Sequence, residues 1–148
     1  MTATVRLVRP DELEKLLALY RVLHPEDPET DPAGAARLWK EICADRCLFY
    51  VAAEEDGQFV ASCTLAIVKN LTRGLRPYGV IENVITRPDC RRKGYGTMVL
   101  HRAIDIAREH HCYKVMLLSG AKDEGTLRFY ERAGFARGIK TGFIVKLP

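Results

Sequence analysis

Apolar and polar residues alternate from Thr4 to Val8, and the spacing then lengthens, with Leu13, Leu16, Leu17 and Tyr20 following Pro10-Asp11-Glu12 at helical intervals. A period of two predicts a strand and a period near 3.6 an amphipathic helix. His24 to Thr30 carries two prolines and breaks the pattern into a loop. Asp31-Pro32 then supplies a side-chain cap and an N1 proline for a second helix through Trp39 and Ile42. Leu48 to Ala53 and Phe59 to Val68 are β-rich, and Glu55-Asp56-Gly57-Gln58 between them has hairpin-turn chemistry. Asn70 to Gly79, with two glycines and a proline, is a loop, and Val80 to Thr86 is a further strand ended by Pro88.

Helical spacing resumes at Tyr95, with Val99, Leu100, Ala103, Ile104 and Ala107 on one face, and Val115 to Leu118 is a short apolar run suited to a buried strand. These elements form a β-α-β unit. Asp123 to Ala133 predicts a last helix ended by Gly134, and Gly142 to Leu147 a terminal strand. The order of elements predicts an α/β fold on a mixed sheet, with parallel pairing flanking the central helix. An exposed edge strand near the C-terminus would permit a homodimer.

The 148 residues fit one domain, 1–148, and 47% hydrophobic with 28% charged residues is ordinary for a globular protein. The first residues hold no unbroken apolar stretch of the kind that targets or spans a membrane, which points to a cytoplasmic protein. Five cysteines (Cys43, Cys47, Cys63, Cys90 and Cys112) make an odd set without a C-x-x-C pair, so neither a disulfide framework nor a metal site is signalled. Cys43 and Cys47 would share a helix face only if the second helix ran that far. The net charge of +4 owes much to Arg87, Arg91, Arg92 and Lys93, a local concentration that suits a specific anion better than a polyanion. Nucleic-acid binding is disfavoured further by the lack of any helix-turn-helix, zinc or RNA-binding signature.

That basic run opens Arg91-Arg92-Lys93-Gly94-Tyr95-Gly96-Thr97, placed between a strand and a helix whose first turn has backbone N–H groups without internal partners. Gly94 and Gly96 let the main chain approach a diphosphate, and the helix dipole adds positive potential. The turn is not a Walker loop, and Val99 stands where a dinucleotide fingerprint needs its third glycine. What it resembles is the R/Q-x-x-G-x-G/A pattern of the GCN5-related N-acetyltransferase (GNAT) superfamily, as Arg91-x-x-Gly94-x-Gly96. Asp123 to Phe135 is similar to a second segment of that family, N-x-x-A-x-x-F-Y-x-x-x-G-F.

The resemblance is close from about Val80 to Phe135 and covers the rest in element order only. It implies a mixed, mostly antiparallel sheet flanked by helices, acetyl-CoA as co-substrate without a metal, and acetyl transfer to a primary amine by direct attack in a ternary complex. It also implies that Val84, Ile85 and Thr86 pair through their backbones with pantetheine and that Arg92 to Thr97 cradle the pyrophosphate. A backbone N–H near Val84 or Ile85 would then donate to the thioester oxygen. Tyr130 matches the tyrosine that protonates the departing thiolate in many relatives, the alternative being an aromatic core residue beside Phe129.

Glu82 is an acidic residue in an otherwise apolar strand, a placement that suits a general base acting directly or through water. Its alternative is a structural partner for an arginine or a backbone donor. Some relatives carry a glutamate on the next strand, where this chain has Leu118 with Ser119 beside it. Asp123 stands where relatives keep an asparagine on the cofactor arm, and an ionised aspartate, which accepts but does not donate, is better suited to capping the helix.

Relatives line their acceptor sites from the first two helices and the loop Asn70 to Gly79. Glu26, Asp27, Glu29 and Asp31 would draw in a small-molecule or peptide amine, and Arg73 or Arg76 would hold an anionic group on it; solvated loop charges are the plainer reading. A rival of another class is a non-catalytic acyl-CoA-binding sensor that kept the fold and the phosphate turn, consistent with Asp123.

Overall fold

The structure is a computed structural model that describes residues 3–148. Strand β1 (Thr4–Leu7) leads through a single 3-10 turn into α1 (Leu13–Leu23), and α2 (Pro32–Ala44) follows. A meander of β2 (Leu48–Glu55), β3 (Gln58–Val68) and β4 (Tyr78–Thr86) precedes α3 (Tyr95–Glu109), β5 (Val115–Leu117) and α4 (Glu124–Arg132). The five strands form one sheet in sequence order, antiparallel throughout except for the parallel pair β4–β5 on either side of α3. No helix among the described residues is long and apolar enough to cross a membrane.

Local chemistry sets most of these boundaries. The Asp31 carboxylate accepts from the Gly34 N–H at 2.9 Å, so α2 begins at Pro32 with one orphan donor satisfied. Asp56 (φ 52°) and Gly57 (φ 77°) make the two-residue turn of the β2–β3 hairpin, whose twist matches the flanking strands only when both central residues have positive φ.

Helices cover both faces of the sheet. On one, Val99, Leu100, Ala103 and Ile106 of α3 pack on Val51, Cys63, Leu65 and Ile81; on the other, Leu16 and Leu19 of α1 and Trp39 of α2 pack on Ala52 and Phe59. Residues 59–65 of β3 are buried without interruption for that reason: a strand covered on both sides loses the polar half of its alternation.

Charge closes one edge of the second layer. Arg6 on β1 forms two 2.7 Å bonds to Glu12 and a 3.0 Å bond to Glu54 on β2, while Lys15 of α1 reaches both carboxylates. The Lys15 ammonium and the Arg6 guanidinium also lie over the Phe59 ring, at 4.8 and 5.7 Å. Hydrogen bonding from Arg6, helped by the Arg9 N–H and Lys15, holds the buried Glu12 carboxyl at about 2 against an ordinary 4.5.

Two expectations need correction. Gly142 to Leu147 forms no strand; Phe143, Ile144, Val145 and Leu147 are 77–89% exposed. β-rich composition favours extended backbone, but a strand also needs backbone bonds to a neighbour, and among the described residues this segment makes none. Val115 to Leu118 is not buried: β5 ends at Leu117, lies at the sheet edge, and leaves Met116 and Leu118 exposed. The cysteines are free thiols as expected, and because α2 stops at Ala44, Cys43 and Cys47 do not share a helix face.

Glu12→Gln is expected to destabilise the fold by about 2 kcal/mol at pH 7, less than for a fully dry pair because Lys15 and Glu54 keep contact with water. Since folding depresses this pKa, the stabilisation is present above about pH 4.5 and is lost as pH falls toward 2. Urea unfolding of wild type and variant should therefore show a gap that is full at pH 7 and clearly reduced at pH 2.5.

Candidate active site

The parallel pair β4–β5 is joined only from Gly79↔Val115 to Ile81↔Leu117. Beyond that point the strands separate, and a cavity of about 1010 Å³ opens between them. Residues of the second half of β4 line one wall and Leu118 to Ala121 the other; the first turn of α3 and the inner side of α4 close the ends. Main-chain donors and acceptors on that side of β4 therefore face the cavity rather than a neighbouring strand.

The other side of β4 is irregular at the same level. Ser62 pairs with Ile85 and Thr64 with Glu82, so one residue of β3 is matched against two of β4, Asn83 and Val84. Asn83 takes φ 52°, which asparagine tolerates better than most residues. Such a bulge leaves the extra residue out of the ladder and turns its backbone groups. Here they turn at the mouth of the cleft.

At the other end, Arg92 (φ 67°) and Gly94 (φ 84°) bend the chain so that α3 starts at Tyr95 pointing at the cavity. The first bond of this turn is from Met98 N–H to the Gly94 carbonyl at 3.0 Å, which leaves the N–H groups of Tyr95, Gly96 and Thr97 for an outside acceptor. Arg91, Arg92 and Lys93 form no ion pair among the described residues. A Cβ on Gly96 would stand 2.9 Å from Phe129 Cζ and 3.0 Å from Thr86 Oγ1, so the absence of a side chain there lets α3, α4 and β4 close together. Three free N–H groups, a helix dipole and three unpaired cations at the end of an elongated cleft fit a pyrophosphate joined to a long arm.

Most of the expected positions meet in this cavity: Glu82, Val84, Thr86, Arg91, Arg92, Gly94, Gly96, Thr97, Asp123 and Tyr130 all border it. Ile85 does not, its side chain being buried, and Lys93 stands outside the lining. Tyr95 borders the cavity, but its ring is buried with the α3 core, so what it offers an anion is its backbone N–H.

Asp123 is the N-cap of α4: its carboxylate accepts from Thr126 N–H at 2.9 Å and Thr126 Oγ1 at 3.0 Å, bonds that lower its pKa. The Tyr130 ring packs edge-on against Phe129 and Phe135, and burial, followed by the fields of Cys63 and Glu82, raises its pKa. A phenol so placed keeps its proton at neutral pH.

The proposed acceptor side chains fare differently. Arg76 donates to the His111 and Cys112 carbonyls at 3.0 Å each, Arg73 stacks over Tyr113 at 5.5 Å, and Asp31 is spent as a helix cap. Ser119 donates to the Ala121 carbonyl at 3.0 Å. Sequence reasoning did not single out Asn83 or the Phe129 ring under Gly96. An asparagine breaking an apolar strand was the available signal for the first, whereas the second depends on a helix-to-helix contact that no local pattern encodes.

A sheet split between parallel strands, with a bulge at mid-cleft and an anion-binding helix start at its end, is the architecture of an acyltransferase. The sequence pattern of the Acetyltransferase (GNAT) family matches residues 16–135, and the chain belongs to that family, whose acetyl donor is acetyl-CoA. An acetyltransferase-like protein from Agrobacterium tumefaciens str. C58 superimposes with a TM-score of 0.90 at 44% identity over 97% of this chain and 99% of the other. Glucosamine 6-phosphate N-acetyltransferase 1 of Oryza sativa subsp. japonica is 30% identical over 86% of this chain and 79% of its own length. Glucosamine 6-phosphate N-acetyltransferase of Trypanosoma brucei brucei is 40% identical over 53% of this chain, a match that spans about half (52%) of that enzyme.

Gly94→Val tests the turn. Its left-handed φ strains a β-branched side chain by about 1–2 kcal/mol, while nothing lies within 4 Å to clash. Calorimetry should show coenzyme A binding weakened at least about tenfold (~1.4 kcal/mol) with the fold retained. Unchanged affinity would place the pyrophosphate elsewhere.

Proposed function

We propose that this N-acetyltransferase acts on the primary amine of a phosphorylated amino sugar, with Glu82 as base and Tyr130 as acid. The observation that carries the chemistry is the meeting of three groups at one level of the cleft: the β4 bulge, the Glu82 carboxylate and the Tyr130 phenol all border the same cavity. Support for the acceptor comes from the rice and trypanosomal relatives, both named for glucosamine 6-phosphate.

Acetyl-CoA supplies a thioester whose carbonyl carbon the amine attacks. Glu82 takes the ammonium proton, directly or through water, freeing the nitrogen lone pair. The backbone N–H groups turned out at Asn83 and Val84 are suited to donate to the carbonyl oxygen as it gains charge, a contact that needs no rearrangement during the reaction. As the carbon–nitrogen bond forms and the carbon–sulfur bond breaks, Tyr130 gives its proton to the sulfur, and the second proton released by the now cationic nitrogen restores the phenol. Its raised pKa keeps that proton available at neutral pH. Val84 to Thr86, along the open side of β4, hold the pantetheine arm by backbone pairing, and the turn from Arg91 to Thr97 holds the pyrophosphate.

Coenzyme A release measured with glucosamine 6-phosphate, glucosamine and an aminoglycoside should give the highest kcat/KM for the phosphorylated sugar, by at least about tenfold (~1.4 kcal/mol in the transition state). A preference for either unphosphorylated amine would overturn the acceptor and leave the family chemistry standing. Tyr130→Phe keeps the ring packing and removes the donor, so kcat should fall about 100-fold with acetyl-CoA affinity nearly unchanged. A kcat within a few-fold of wild type would make Tyr130 a packing residue.

A further inference from the structure

Two hydroxyls on the α1/α2 face of β3 are buried with no well-formed hydrogen bond among the described residues. Ser62 is 2% exposed and Thr64 9% exposed, and neither Ser62 Oγ nor Thr64 Oγ1 has a partner of good geometry there, although the Tyr20 phenol lies against both. Hydroxyls withdrawn from water and left unpaired are destabilising, and a fold that keeps two of them side by side calls for an explanation. They do not lie at random in the core. Thr64 is directly opposite Glu82 in the β3–β4 register, and Ser62 is two residues along the same strand, so both share a sheet face with the carboxylate assigned as base. From α1, the half-buried Tyr20 phenol faces both hydroxyls, and on β2 Tyr50 is the register partner of Thr64.

Glu82 is exposed and has no ion-pair partner among the described residues, so nothing else fixes where its carboxylate points. Across an antiparallel pair, directly opposed side chains have Cβ atoms about 5 Å apart, within the swing of a glutamate beside a threonine hydroxyl. We propose that Thr64 donates its hydroxyl hydrogen to the Glu82 carboxylate, with Tyr20 and Ser62 behind it, as a file of hydroxyl donors that orients the base. Each hydroxyl donates toward Glu82 and accepts from the one behind, an arrangement in which the bonds strengthen one another. Thr64 is then a positioning residue, and the inference rests on Glu82 being the base.

The sign of the effect follows from what is bonded. A donor to the charged form of a carboxylate lowers its pKa, so removing the donor raises it and moves the acidic limb of kcat/KM to higher pH. The other ionisable groups facing this stretch are the phenols of Tyr20, Tyr50 and Tyr130 and the Cys63 thiol. Phenols titrate near 10 in water, and burial moves those of Tyr20 and Tyr130 upward and the thiol to about 12, so none supplies an acidic limb.

The test is the pH profile of kcat/KM for the amine in four variants. Thr64→Val keeps the shape and removes an unpaired hydroxyl, so the protein should fold, and its acidic limb should move up by about one pH unit, the size of one hydrogen bond to a charged group. Thr64→Ser keeps the donor and should return the limb toward wild type, while Tyr20→Phe should shift it in the same direction by less. Glu82→Gln separates the two ideas. If it flattens the limb while Thr64→Val and Tyr20→Phe leave the limb in place, the base stands and the hydroxyl file is overturned. If Glu82→Gln keeps a wild-type limb, the base assignment falls and the file with it. Should Thr64→Val fold poorly, Tyr20→Phe alone decides, because an unmoved limb there denies the file its second donor.

Discussion

Backbone polar groups withdrawn from water must find partners, and β4 is where this chain leaves them to be found by something else. The strand is bonded on its β5 side over only three residues before the two strands part. A sheet edge opened inside the molecule would be a liability unless an occupant completed the ladder. That requirement sets the positions around it. The start of α3 stands at the end of the gap, where its N–H groups are left open to an outside acceptor, and α4 lies across it with Phe129 seated against Gly96. The rest of the fold keeps the gap open to order. With α3 on one face and α1 and α2 on the other, β3 is held rigidly in the middle of the sheet, and β4 is registered against it up to the bulge.

Polar groups are used in two ways on the α1/α2 side. Near β1, Arg6, Glu12, Lys15 and Glu54 satisfy one another, so their burial ties strand, turn and helix together. Toward β4, Ser62 and Thr64 are left without partners beside a carboxylate that is also unpaired. A fully bonded network rigidifies; an unfinished one next to a reactive cleft keeps bonding capacity in reserve.

How much of this could be read from the residues depends on how local each feature is. The basic glycine turn was legible because its features are contiguous: Arg91 to Thr97 carry their cations, their glycines and the helix start within seven residues. The caps at Asp31 and Asp123 and the Asp56-Gly57 hairpin were legible for the same reason. The bulge was not, since it exists only as a mismatch between two strands, and Glu82 could be suspected but not placed beside Thr64 until the register was known. The tail shows the opposite failure. Its Phe143-Ile144-Val145 run has the composition of a strand, yet pairing depends on what lies alongside, and composition carries no information about that. Arg73 and Arg76 show the same limit: the sequence does not reveal that one guanidinium bonds two carbonyls and the other lies over an aromatic ring.

The bulge has a consequence for how such a protein can change over time. Groups that it presents to the cleft at Asn83 and Val84 belong to the peptide backbone, so almost every amino acid carries the same donor at those positions, and only proline lacks it. Side chains nearby are therefore free to drift, reshaping what the cleft accepts, while the main-chain donors proposed to meet the developing charge are inherited unchanged. Catalytic apparatus written into main-chain geometry is shielded from point substitution in a way that no side chain can be, and a lineage can explore new amines without first surrendering the old chemistry.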